Sequence, residues 1–89
     1  MGRHHSHPKV INRLKRIHGH VAKIISMIEA ETPCVDVAQQ MQAVEHAMTN
    51  AKRTFVEDHI AHCFDEETLK NPRRRKKELE EFKSITKYL

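Results

Sequence analysis

The sequence predicts an all-α protein: a three-helix protomer with a long central helix, assembling into an antiparallel four-helix-bundle dimer and then a dimer of dimers. Three observations predict it. Two Gly and three Pro in 89 residues leave too little turn chemistry for an all-β fold. Apolar residues recur at alternating steps of three and four, the spacing of one helix face. Hydrophobic residues make up only 38% of the chain, with no Trp, so a core this lean needs a metal or a second copy to complete it.

Residues 1–8 read as a flexible His-rich arm carrying His4, His5 and His7, and residues 9–89 as a single helical domain. The first helix covers about residues 9–30, with Leu14, Ile17, Val21, Ile24 and Ile28 along its apolar seam and Val10, Ile11 and Ile25 widening it. Thr32 is placed to cap the next helix, with Pro33 at its first position and Asp36 favouring its positive end. That second helix runs over about 33–64, because no Gly or Pro interrupts it and Val37, Met41, Val44, Met48, Ala51 and Phe55 keep the seam. At 1.5 Å per residue it is about 48 Å long, more than an 89-residue monomer can cover. Residues 65–72 read as a loop. A third helix, about 73–88, carries Leu79, Phe82, Ile85 and Leu89 on its apolar side. It opens with Arg73, Arg74, Arg75, Lys76 and Lys77, whose charge opposes the helix dipole, so this run either stays solvated and frayed or meets an anion such as phosphate.

Composition narrows the function. No apolar run is long enough to span a membrane and no apolar stretch marks a signal peptide, so a cytoplasmic protein without membrane partners is expected. Two cysteines are too few for a disulfide scaffold and read as thiols or metal ligands. The formal net charge of +4 permits nucleic acid as a partner. No Ser-His-Asp arrangement or Gly-rich phosphate loop is present, so neither an enzyme nor a small-molecule substrate is expected.

Eight histidines stand out, and two of them lie beside a cysteine. His59 and Cys63 are four apart, share a helix face and can grip one ion; His62 lies about 100° around from Cys63. Cys34 begins the same helix, about 37 Å from His59, which forbids both a shared site and a disulfide within one chain. If two copies of the long helix pack antiparallel, Cys34 of one lies opposite His59 and Cys63 of the other, and two identical sites result. Ala43, Ala47 and Ala51, near the two-fold axis, permit close approach. The first two helices, joined by a short link, pair antiparallel with facing position numbers summing to about 63. That count delivers the arm histidines beside His59 and Cys63. It also groups Arg13 and Arg16 of the first helix with Lys52 and Arg53 of the second as a positive patch suited to duplex DNA, since aromatic side chains for stacking single strands are scarce.

Asn12-Arg13-Leu14-Lys15-Arg16-Ile17-His18-Gly19-His20-Val21, Met27-Ile28-Glu29, Cys34-Val35-Asp36-Val37 with Gln40 and Ala43-Val44, and His59-Ile60-Ala61-His62-Cys63 together resemble the CsoR/RcnR family of bacterial transcriptional repressors over about residues 9–64. The resemblance implies an all-α homodimer or homotetramer that binds operator DNA without metal and releases it when a metal binds. It implies a Cys-His-Cys set for Cu(I) at Cys34, His59 and Cys63, or a nickel or cobalt site with an added arm ligand from His4 or His5. It matches the family's basic DNA-contacting residues to Arg13 and Arg16; Lys52 and Arg53 rest on the hairpin count. His20 departs from the Gln of many members. The expectation is a metal-responsive repressor of metal efflux or resistance genes, with Ni(II) or Co(II) slightly ahead of Cu(I) because of the three arm histidines. The competing reading is a helical metal store or chaperone that never touches DNA.

Overall fold

A computed structural model of the chain describes residues 7–89. His4 and His5, expected as arm ligands, lie outside the described residues, as do residues 1–6 generally. The described residues are helical nearly throughout: α1 spans His7–Glu29, α2 Cys34–Cys63, α3 Glu66–Lys70 and α4 Pro72–Ile85, with a 3-10 turn at Thr86–Tyr88. His7 and Pro8, read from sequence as arm, start α1 instead. Proline is tolerated there because the first turn of a helix has no partner for its N–H.

The chain forms two compact units, residues 8–52 and His7 with residues 53–89. In the first, α1 and the leading part of α2 run antiparallel, and the His20 ring nitrogen Nε2 meets Gln40 Oε1 at 2.7 Å across the pair. Val10, Ile24, Val37 and Ala51 are buried. Of the rest of the predicted seam, Ile17 and Val44 are half-buried and Leu14, Val21, Ile28, Met41 and Met48 stay exposed.

The turn between α1 and α2 corrects the capping expectation. Thr32 N–H donates to Met27 O at 3.0 Å and Glu31 N–H to Ile28 O at 3.0 Å, with Glu31 at φ 58°. That pair of bonds around a left-handed residue is a Schellman ending. The Thr32 N–H is therefore used in closing α1. The first bond of α2 runs from Val37 N–H to the carbonyl of Pro33, so Pro33 itself occupies the capping position.

In the second unit the predicted loop 65–72 contains a helix. Asp65 Oδ1 accepts from Thr68 N–H at 2.8 Å and starts α3, a single turn. Asn71 ends α3 through its N–H to Thr68 O and starts α4 through its side chain. The sequence signal was the acid-rich stretch after Cys63, which suits a helix N-terminus as well as a loop. Phe64 meets Phe82 edge to face, with centroids 5.5 Å apart, and so helps fix α4 against the end of α2. Among the described residues no helix is long and apolar enough to cross a membrane.

Candidate metal centre

The last turns of α2 present His59 and Cys63 on one face, as their spacing requires. The α3 turn then reverses the chain, and α4 brings Glu78 to the same place. One ligand atom from each of His59, Cys63 and Glu78 lies within 4.8 Å of the others. Cys63 is 1% exposed, and its Sγ donates toward Glu78 O at 3.5 Å and Oε2 at 3.7 Å. Glu81, one turn further along α4, places Oε2 3.7 Å from His59 Nε2.

Electrostatics at this point follow from burial and from carboxylates. Burial pushes the Cys63 thiol up, and Glu78 adds to it, so that it titrates at about 11. Cys63 is therefore a neutral thiol near pH 7 and must lose its proton to bind a metal. Asp65 is shifted the other way: the Thr68 backbone N–H that it caps holds its carboxyl below the usual range.

Imidazole, thiol and carboxylate together fit a transition metal. The two carboxylates beside the pair also suit the role of outer partners that orient ligands and raise their basicity. His62 is not one of the three clustered ligand residues, and its Nδ1 lies 3.1 Å from Asp65 Oδ2. Cys34 is the exposed first residue of α2, and Cys63 is its last, so one copy does not bring them together.

One residue of the cluster, Glu78, has no signal in the sequence. Glu78 could be placed only by knowing that α3 turns the chain back onto α2. His7, which the hairpin count delivers to the end of α2 that carries His59, stacks its ring on Phe55 with centroids 5.1 Å apart and sets its Nε2 4.0 Å from Asp58 Oδ2. Positions 7 and 55 sum to within one of the hairpin count. Of the expected DNA-contacting residues, Arg13 and Arg16 lie three apart on α1, the first half-buried and the second exposed. Lys52 and Arg53 are consecutive and exposed on α2.

Comparison with known proteins shows the family. The family described as metal-sensitive transcriptional repressor matches residues 6–88. The copper-sensing transcriptional repressor CsoR of Bacillus subtilis is 46% identical over 55 residues, covering 62% of this chain and 54% of that protein. The copper-sensing transcriptional repressor RicR of Mycobacterium tuberculosis is 37% identical over 51 residues, covering 57% and 53%. The chain thus spans about half the length of the curated relatives it matches. Among solved structures, the nickel-responsive transcriptional regulator InrS superposes with a TM-score of 0.77 at 28% identity, covering 99% of this chain and 97% of that one.

Proposed function

The chain belongs to the metal-sensitive transcriptional repressor family, and on that premise we propose that it binds duplex operator DNA and lets go when it takes up a transition-metal ion. The observation that carries the reading is the convergence of His59, Cys63 and Glu78 at the end of α2. His59 and Cys63 of one copy, with Cys34 of a second, form the ligand set. The ion they hold supplies a link between opposite ends of two α2 helices. Ni(II) or Co(II) is the favoured effector, because imidazoles from His4 or His5 and carboxylates close to the pair provide the harder donors these ions accept. Cu(I) is the second choice. It is favoured by the two thiolates and by the likeness to copper-sensing repressors.

Arg13, Arg16, Lys52 and Arg53 form the operator face, and the protein acts in the cytoplasm as a homodimer or homotetramer. The genes it governs serve metal efflux or resistance. Metal and DNA affect each other's binding by the same factor, on the order of 5- to 150-fold.

One titration tests this. An operator duplex selected from a random pool is titrated by fluorescence anisotropy with metal-free protein and with protein loaded with Ni(II), Co(II) or Cu(I). Affinity should fall about 5-fold or more with the cognate ion. Equal affinity with and without all three ions sinks the proposal. Reversing charge at Arg13 and Arg16 should abolish DNA binding and leave metal binding intact; retained DNA binding would move the operator face elsewhere.

A further inference from the structure

Arg73, Arg74, Arg75, Lys76 and Lys77 have no part in the proposed metal centre or in the α1 operator face. Of the two readings that their sequence leaves open, fraying does not match the fold. Helix α4 starts at Pro72, and Asn71 Oδ1 accepts from the backbone N–H of Arg73 at 3.0 Å and of Arg74 at 3.2 Å. Arg75 Nη1 donates to Leu69 O at 3.3 Å. Five cations are thereby set on the opening turns of a 14-residue helix.

Four of them are exposed, and Arg74 is half-buried. Arg73, Lys76 and Lys77 stand at i, i+3 and i+4, so they share one face with Cβ atoms about 5–6 Å apart. No acidic residue occupies the first turn of α4. Among the described residues, none of the five forms an ion pair with a carboxylate. Crowded like charge at the positive end of a helix opposes folding unless an anion offsets it.

We propose that this face is a second contact for duplex DNA, one that binds the phosphate backbone without reading sequence and adds to the α1 face. The inference rests on the repressor reading above and extends it to a surface that reading does not use. Duplex DNA fits the observations better than a small anion. Arg73, Lys76 and Lys77 lie exposed on one helix face, and a duplex offers such a face a dense line of charge, about one per 1.7 Å of axis. A face of three cations a helical turn apart can follow such a line.

The test uses the full chain, metal-free, with two 30-base-pair duplexes: one selected from a random pool and one of mixed sequence. The triple variant Arg73→Gln/Lys76→Gln/Lys77→Gln is compared with the parent over a range of salt. Each phosphate contact contributes about 0.9 to the slope of log affinity against log salt, so the slope should drop by about two to three on both duplexes. The variant should melt no lower than the parent, since the charges removed oppose the helix dipole. Lys83→Gln/Lys87→Gln, in the last turn of α4 and the 3-10 turn after it, controls for net charge. An unchanged slope in the triple variant, or an equal loss per charge in the control, overturns the inference while the parent's operator binding still supports the repressor reading. If the parent binds neither duplex, the repressor reading falls and this inference with it.

Discussion

Cys63 is where the sequence pattern and the physical environment meet most closely. The i, i+4 relation to His59 is visible in the sequence because a helix enforces it. What surrounds the sulfur is not visible, since Glu78 arrives from fifteen residues away, after a turn that reads from sequence as an irregular loop. The consequence can be measured without any metal. An unfolded chain releases this proton from its ordinary value of 9.0, whereas the folded chain holds it to about 11. Between those values the unfolded state binds fewer protons, so stability must fall as pH rises. The contribution is complete below about pH 9 and lost through about pH 11. Lysines titrate in the same range, so the proper comparison is with Cys63→Ala. Urea unfolding of both proteins at about pH 8 and about pH 10.5 should show the gap between them shrinking at the higher pH. A gap that does not change with pH would contradict the buried, carboxylate-flanked thiol.

At the scale of elements, the two long helices were legible because their seams repeat and no breaker intervenes, and the ends were less so. The seam predicts where α1 faces inward, and Val10 and Ile24 are indeed buried, but periodicity cannot say how much of a face one chain can cover. The α1–α2 turn shows the other limit. A helix ending of this type usually takes Gly or Asn at the left-handed position, and here Glu31 fills it at φ 58°, so no residue type announced the turn. That choice carries strain which substitution should release. Glu31→Gly removes the Cβ clash of the left-handed region at the expense of a more flexible unfolded chain, for a net gain of about 0.5–1 kcal/mol. Thermal unfolding of the two proteins decides it: an unchanged or lower Tm in Glu31→Gly would mean that the Glu31 side chain contributes more than its backbone loses. Asn71 was equally hard to place. It ends α3 and caps α4, and an Asn-Pro pair at 71–72 reads from sequence as the close of a loop rather than the hinge between two helices.

At the scale of the molecule, the apolar residues that one chain leaves in water argue for a second copy. Met41 is 52% exposed and Met48 49%, on the same seam of α2 as the buried Val37 and Ala51. An antiparallel pairing of two α2 helices would cover both and would set Cys34 of each copy against His59 and Cys63 of the other. Two variants that each lack the site test that arrangement directly. Cys34→Ser removes a ligand from both sites of its own dimer, and so does Cys63→Ser. In a mixed dimer, one site loses both cysteines, while the other combines Cys34 of the Cys63→Ser chain with Cys63 of the Cys34→Ser chain and is whole. After subunit exchange at equal concentrations about half the dimers are mixed, so about a quarter of all sites should recover thiolate-to-metal absorption. Sites built within single chains would recover none, because no mixture gives one chain both cysteines. The experiment therefore separates a shared site from a local one by the size of a spectroscopic signal, independently of whether DNA binding survives.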